Sequence, residues 1–481
     1  MNNIDNKIVN SAKWSLITEV LAKIISPITN MILVRILSPS AFGILATVQM
    51  IISFADMLSD AGIQKYIVQK EFPSEDEQKK TIQVAMYTNL ALSLFLWIVI
   101  FFTRDEIAYV VGNPGLGDVL AIAGLNIPLI AFTSVQLAVL RRNFEFKKIL
   151  KFRMVNIFTP LLVTIPLALY GCDYWSLIIG YITGQLCQTI CIIYDTNVKF
   201  IKFYSFKYLR QMLSFSIWTL FESLIIWLTA WCDIFLVAHT LPIHYLGIYK
   251  MSMVSVQSIL AVVSSAILPV LYSALSRLQN NVEAFKMTFF RANRKTAFFI
   301  IPIGFSMLVY SDLFRKILFG DKWVEADLMI GLWGCTSCLL IVYGHFCSEV
   351  YRSCGRPKIS TIAQLLHIVI LIPLIFVFSE DFIKLVWVRN LIRFQSIVVD
   401  FYFLKYFFNI DPIKMLRNTW RYLLASSLVS IFVYVTRRYF ESVLYDYFSI
   451  VLSFLAYLFV ICLFTEERNL LKQIYRERSI L

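Results

Sequence analysis

Charged side chains interrupt the first long apolar segment of this chain, where they could bind an ion or a charged ligand. Glu19 and Lys23 stand four residues apart, which places both on one face of a helix. Pro27 follows four residues later, and its ring removes the hydrogen bond that the Lys23 carbonyl would accept. A charge pair beside a missing backbone bond is typical of an interrupted helix at a binding site. An internal ion pair that neutralises itself is the structural alternative.

Two acidic residues of a later apolar segment are candidates for coupling to an ion. Glu222 and Asp233 are separated by about three helical turns, so they share a helix face. A charged side chain at the centre of a spanning helix costs about 2.5–3.5 kcal/mol, so one that is kept there is a functional candidate. We therefore predict H+ or Na+ coupling at Glu19, Glu222 or Asp233. Structural pairing with a basic neighbour is the alternative.

Basic residues within apolar segments could hold an anionic ligand. Arg389 and Arg393 are four residues apart, and Asp400 falls on nearly the same helix face. Two arginines facing lipid would be costly, so they either face a wet cavity or Arg393 pairs with Asp400. Lys250 lies about two turns from a predicted outer turn, from which it could also snorkel outward. We predict that Lys23, Lys250, Arg389 and Arg393 line an anion-binding cavity.

Other residues of these segments are assigned structural or gating roles. Arg35 ends the first apolar segment and Asp60 ends the second, so both are predicted to mark the ends of helices, alongside Pro27 and Gly43. Cys335 and Cys338 have redox or metal spacing, but they lie in an apolar segment without helper ligands. We predict no metal site and no cofactor.

The elements that carry these residues are predicted to be transmembrane helices. Of the 481 residues, 59% are hydrophobic and 16% are charged, whereas soluble domains average about 25% charged residues. A spanning helix needs roughly 20 apolar residues. The fold is therefore predicted to be an all-α polytopic membrane protein with about fourteen transmembrane helices. The predicted spans are 14–36, 41–64, 81–103, 117–139, 150–170, 174–195, 212–238, 244–271, 295–311, 326–350, 359–379, 382–404, 420–436 and 443–464.

Positive charge alternates between the predicted connections and so indicates an orientation. Six connections are rich in Lys and Arg, whereas the others hold only Arg104, Arg315, Lys316, Lys322, Lys384, Arg437 and Arg438. The positive-inside rule places the rich connections and both termini in the cytoplasm. The polar start, 1–13, shows no cleavage pattern, so we expect the first span to be retained. We predict a bacterial inner-membrane location.

An internal repeat divides the predicted bundle. Trp14 to Gly43 and Trp218 to Gly247 are stretches of equal length, each with an intramembrane Glu and a proline-containing turn. Because an even number of spans separates the copies, both halves face the same way, as in many transporters. We predict two pseudo-symmetric six-helix lobes, 1–210 and 211–410. Two extra helices and a cytoplasmic tail occupy 411–481.

Several function classes find no support in the sequence. It lacks the glycine-rich phosphate loop of ATP-driven proteins, the Gly-x-Ser-x-Gly elbow and the His-Glu-x-x-His zinc motif. No predicted outer loop is long enough to hold a catalytic domain. The net charge of +13 reflects the orientation bias and contact with anionic lipid, so we expect no nucleic-acid partner. We predict a transporter, not an enzyme.

The first 70 residues carry a recognisable pattern. It comprises a Trp at position 14, the run Arg35-Ile-Leu-Ser-Pro39-Ser-Ala-Phe-Gly43, and Asp60-Ala-Gly62 after the second span. This pattern resembles the N-terminal signature of Wzx-like polysaccharide-export flippases of the multidrug/oligosaccharidyl-lipid/polysaccharide exporter superfamily. The rest of the chain resembles that family in hydropathy, span count and repeat.

The resemblance implies a function. Such flippases move oligosaccharide linked to undecaprenyl pyrophosphate from the cytoplasmic to the periplasmic leaflet by alternating access between two lobes. Related lipid flippases hold the pyrophosphate with basic residues on the first and eighth helices, and Lys23 and Lys250 occupy comparable places here. The acids Glu19, Glu222 and Asp233 depart from a purely cationic cavity. The implied partners are lipid-linked oligosaccharide, membrane lipids and other polysaccharide assembly proteins, with the chain itself a monomer.

Three rival functions share some of these features. A cation-coupled multidrug exporter of the same superfamily would have the same fold but should favour an aromatic and acidic cavity. A membrane polymerase or ligase would need an outer acceptor loop. A non-transporting platform for glycosyltransferases would tolerate every cavity mutation.

Overall fold

The structure, a computed structural model, is built from helices. It describes residues 2–196, 203–440, 442–464 and 468, although some helical side chains within these ranges, among them that of Glu19, are not described. No β-strand occurs within those ranges. The chain divides into two compact units, Met1–Met251 and Ser252–Leu481. The predicted all-α polytopic fold is confirmed.

The helices follow one another through short connections. The first eleven are α1 (Asn2–Ile36), α2 (Pro39–Asp60), α3 (Ile63–Gln69), α4 (Glu75–Phe102), α5 (Arg104–Val110), α6 (Gly117–Ala123), α7 (Asn126–Arg142), α8 (Phe146–Leu169), α9 (Asp173–Thr196), α10 (Phe206–Thr240) and α11 (Ile243–Leu278). The others are α12 (Val282–Val309), α13 (Ser311–Leu318), α14 (Ala326–Leu340), α15 (Phe346–Ser353), α16 (Lys358–Phe378), α17 (Phe382–Phe408), α18 (Pro412–Tyr439) and α19 (Val443–Cys462). A π-helical turn, Ile341–His345, joins α14 to α15.

Every predicted span corresponds to one of these helices or to a broken pair such as α6–α7 or α14–α15. Within the described residues, ten helices are long and apolar enough to cross a membrane, or eleven if α12 and α13 form one span bent by 86°. The other predicted spans are α1, α17 and α18, which are long helices outside that count. On α17 the reason is charge, since Lys384, Arg389, Arg393 and Asp400 all lie on it.

Polar caps fix where several helices begin. The Ser38 hydroxyl accepts from the Ala41 amide at 3.3 Å, and Pro39 occupies the first turn of α2. Asp411 and Pro412 repeat this arrangement at α18, where the carboxylate accepts from the Ile413 amide at 3.1 Å. These signals define the helix starts independently of hydropathy.

Small residues allow close helix packing in the first unit. A side chain at Gly184 of α9 would come within 2.5 Å of the Pro160 ring on α8, and one at Gly180 would meet Thr164. Beside this contact, the Asn156 amide donates to Gln185 and Gln188, each at 3.0 Å. Buried amides and a small-residue seam therefore hold α8 and α9 together.

Helix α10 packs with the first unit, because it contacts α2, α3 and α4. The lobe boundaries at 210 and 410 follow the sequence repeat and stay a prediction.

Candidate functional site

The two copies of the sequence repeat meet at their matching glycines, within the first unit. A Cβ at Gly43 of α2 would collide with the carbonyl oxygen of Ile243, and one at Gly247 of α11 would collide with that of Pro39. Ile243 stands four residues before Gly247, as Pro39 stands four before Gly43. Pro39 and Ile243 therefore occupy equivalent positions in the two repeats, and the glycine of each repeat contacts that position in the other repeat. Such a reciprocal contact is the geometry of a two-fold axis.

Helix α1 carries Lys23 and Pro27 without a break. It runs as one helix from Asn2 to Ile36, so the proline removes a backbone bond but does not divide the element. Lys23 is half-buried and has no ion pair or hydrogen bond to any side chain that the structure describes. The predicted pairing with Glu19 lies outside the described side chains. Arg35, in the last turn, is exposed.

The predicted coupling acids of α10 occupy different environments. The Glu222 carboxylate is exposed and forms an ion pair with Lys65 at 2.7 Å. Asp233 is 1% exposed, and its carboxylate accepts from the Tyr249 hydroxyl at 2.9 Å. Although both acids lie on one face of α10, Glu222 is therefore at the protein surface and Asp233 is in the interior.

Lys250 follows Tyr249 on α11 and packs against an aromatic ring. Its ammonium lies 4.2 Å from the centroid of the Trp231 ring on α10. At that distance the electron-rich ring face stabilises the cation. Lys250 is thus held beside the buried Asp233 region of the first unit, and its ammonium forms no hydrogen bond or ion pair with a side chain that the structure describes.

Arg389 and Arg393 lie buried on α17, in the second unit. The Arg393 guanidinium donates to Ser337 at 2.7 Å and Thr336 at 3.0 Å, and it covers the Trp333 ring at 3.6 Å. Arg389 lies 5.1 Å from the same ring. Hydroxyl groups and an aromatic face of α14 therefore hold these charges.

Asp400 has a tyrosine partner. Its carboxylate accepts from the Tyr351 hydroxyl at 3.1 Å, and the same hydroxyl lies 2.9 Å from its carbonyl oxygen. The π-helical turn packs beside it, since a Cβ at Gly344 would lie 3.2 Å from the carboxylate. Asn293 of α12 donates to the Val342 carbonyl of that turn at 2.7 Å. Such turns are frequent at functional sites.

Asp60 acts locally at the end of α2. Its carboxylate accepts from the Gln64 amide at 3.4 Å, so it stabilises the first turn of α3.

Several contacts have no counterpart in the sequence analysis. Lys65 lies in one of the six Lys- and Arg-rich connections, and Trp333 and Ser337 lie in the predicted span 326–350, but the sequence assigns none of the three a role. The ion pair of Arg437 with Asp312, at 2.8 Å, joins two predicted outer connections. Opposite charges at span ends on one predicted side could have indicated that pair.

The fold and these polar interiors define a class, a multi-pass helical membrane protein with an internal repeat. The chain belongs to the family described as polysaccharide biosynthesis protein, which matches residues 32–327.

Curated relatives are bacterial. The chain is 24% identical over 327 residues to the lipopolysaccharide biosynthesis protein WzxC of Escherichia coli (strain K12), and 23% identical over 326 residues to the succinoglycan biosynthesis transport protein ExoT of Rhizobium meliloti (strain 1021). These matches cover 67% and 68% of this chain and 65% of each relative. The chain thus spans about two thirds of the length of the curated relatives that it matches.

Solved structures share the fold at low identity. Lipid II flippase MurJ, in an inward closed conformation, matches with a TM-score of 0.75 and 14% identity, over 96% of this chain and 100% of the other. An inward-facing multidrug resistance MATE family transporter of the MOP superfamily matches at 0.58 and 13% identity, over 79% of this chain and 93% of that one.

Proposed function

We propose that this chain is a flippase that moves undecaprenyl-pyrophosphate-linked oligosaccharide repeat units from the cytoplasmic to the periplasmic leaflet. The observation that carries the proposal is the family match over residues 32–327. The matched range includes both glycines of the reciprocal contact, Gly43 and Gly247, and the buried polar residues of α10 and α11. The product would differ from the substrate only in its leaflet, so no bond is made or broken. The exported polymer would be O-antigen, capsule or another exopolysaccharide.

Cationic side chains would neutralise the pyrophosphate. In a low-dielectric interior an ammonium–phosphate pair is far stronger than in water. Lys23 is the principal candidate, because it is half-buried and its ammonium has no described partner. Lys250 is the second, because its ammonium packs on a ring and has no hydrogen-bond or ion-pair partner among the described side chains. Arg389 and Arg393 are proposed as secondary contacts, since α14 already engages Arg393.

Alternating access would be coupled to H+ or Na+ at Asp233. This carboxylate is buried and faces a tyrosine hydroxyl, so binding a cation would remove an interior charge. A ligand shifts a conformational equilibrium only by its differential affinity for the two states. Glu222 is a weaker candidate, because Lys65 already compensates it at the surface. Glu19 stays a candidate from its sequence position alone.

The proposed location is the bacterial inner membrane with both termini in the cytoplasm. The alternation of Lys- and Arg-rich connections supports this orientation. The proposed partners are the lipid-linked substrate, membrane lipids and other polysaccharide assembly proteins, and the working unit is a monomer.

The decisive experiment is leaflet-resolved chemical labelling of lipid-linked oligosaccharide in cells with and without the gene. We expect loss of the gene to trap repeat units on the cytoplasmic side and to abolish surface polysaccharide. Normal delivery to the periplasmic face would contradict the substrate assignment. Dye resistance that depends on the gene, with normal polysaccharide, would indicate the multidrug exporter instead.

A further inference from the structure

Two cavities follow one another along α12, α18 and α19 in the second unit. The first has a volume of about 290 Å³ and is lined mainly by apolar side chains, among them Phe298, Phe299, Phe454 and Tyr457. The second has a volume of about 570 Å³, and its lining includes the charged side chains of Lys316, Arg437, Arg438 and Asp446. An apolar cleft and a charged pocket thus share the same three helices.

The cavities are adjacent in the helix direction. The cleft reaches Ser306 on α12 and Ser430 on α18, and the pocket begins at Leu308 and Tyr434 on the same helices. These offsets of two and four residues correspond to about 3–6 Å of helix rise. One elongated molecule could therefore occupy both.

The pocket has an excess of cations among the described residues. Arg437 is fully engaged, because it donates to both Asp312 oxygens, at 3.0 and 2.8 Å, and to Asp446 at 2.8 Å. Arg437 and its two carboxylates together have a net charge of −1. Lys316 and Arg438 form no ion pair with any carboxylate that the structure describes, so the net charge of the described pocket residues is +1. Glu441, next to the pocket in sequence, lies outside the described residues.

Helix α13 forms part of the wall of the pocket. It bends by 86° from α12, and its Leu313 and Leu318 are buried while Lys316 lines the pocket. The pocket lies where α12 and α18 end and α19 begins, and the ends of spanning helices lie at the membrane interface. Phe314 of α13 lines the apolar cleft. The cations therefore stand at the level of lipid phosphates, and the cleft extends from them into the hydrocarbon.

We propose that this site binds one anionic phospholipid, with its headgroup phosphate on Lys316 and Arg438 and part of an acyl chain in the cleft. Basic pockets between transmembrane helices recognise anionic headgroups in this way. A cleft of about 290 Å³ is at the lower limit of ligand pockets, so it suits a segment of one acyl chain better than a long polyprenyl tail. The bound lipid would join α12, α18 and α19 at their interfacial ends.

Thermal unfolding of the purified full chain in detergent tests the proposal. The probes are phosphatidylglycerol and phosphatidylcholine with identical acyl chains. We expect phosphatidylglycerol to raise the midpoint by several degrees and phosphatidylcholine to raise it by less than half as much. The double variant Lys316→Gln with Arg438→Gln should lose most of the difference. The matched control is Lys384→Gln, an exposed lysine in the first turn of α17 on the same predicted side, which should keep the difference.

A second variant tests the cleft, and a third lipid tests the assignment of the occupant. Ser430→Phe would fill the cleft and should reduce stabilisation by both phospholipids. Equal stabilisation of wild type and the double variant by phosphatidylglycerol would overturn the proposal. Stabilisation by undecaprenyl phosphate alone would assign the site to the carrier and overturn the phospholipid reading. Because unfolding is measured without transport, the result is independent of the flippase proposal.

Discussion

Individual charged residues in this protein are stabilised by different kinds of partner. Arg393 is held by hydroxyl groups and an indole ring, Asp233 by a tyrosine, and Glu222 by a surface lysine. Lys23 has none among the described side chains. Neutralising substitutions of different residues with the same charge should therefore have different effects on transport.

Neutralising Lys23 should strongly reduce export while leaving the protein in the membrane. A charge-assisted hydrogen bond contributes about 1.5–3 kcal/mol, so Lys23→Gln should reduce the rate of export by roughly tenfold or more. The measurement is the rate of periplasmic labelling at matched protein levels. Lys13→Gln, an exposed lysine on the same helix, is the control and should export normally. Normal export in Lys23→Gln would remove Lys23 from the proposed site.

Substitutions of Asp233 and Glu222 should have different effects on the coupling of transport to an ion gradient. Asp233→Asn removes an interior charge that a cation would neutralise, so transport should lose its response to an imposed H+ or Na+ gradient. Glu222→Gln breaks only an exposed ion pair, worth about 0–1 kcal/mol, and should keep that response. The measurement is flipping in proteoliposomes with and without a gradient. A preserved response in Asp233→Asn would exclude Asp233 as the coupling site.

At the scale of elements, hydropathy was a good guide to where helices run in the membrane and a poor one to their ends and breaks. The ninth predicted span began at 295, whereas α12 begins at Val282, because its first turns are polar. The bend at α13 and the π-helical turn have no hydropathy signal, since both depend on local backbone geometry. Ion pairs such as Lys65–Glu222 join residues far apart in sequence, so only the folded chain could identify them.

The contact between α2 and α11 should tolerate no side chain at Gly43 or Gly247. Gly247→Leu would push against the Pro39 carbonyl, which belongs to the backbone and cannot rotate away. We expect a loss of folded protein or a drop of several degrees in the unfolding midpoint. Ser265→Leu adds similar bulk at an exposed position of α11 and should leave the midpoint nearly unchanged. A midpoint like that of wild type in Gly247→Leu would show that the helices separate easily.

At the scale of the whole molecule, the alternating charge predicts which connections face the cytoplasm. A cysteine replacing Lys79, in a connection rich in positive charge, should react with a membrane-impermeant maleimide only after permeabilisation. A cysteine replacing Lys384 should react in intact cells. Both variants would be made in a background without the nine native cysteines. The reverse pattern would invert the proposed orientation.

The reciprocal glycine contact has a genetic consequence. Each glycine meets main-chain atoms of the other repeat, so no smaller residue at the facing position could restore the lost space. Suppressors of a Gly43 or Gly247 lesion should therefore not arise at Pro39 or Ile243. They should map to positions that let the whole of α2 or α11 shift, and one suppressor should rescue lesions in either repeat.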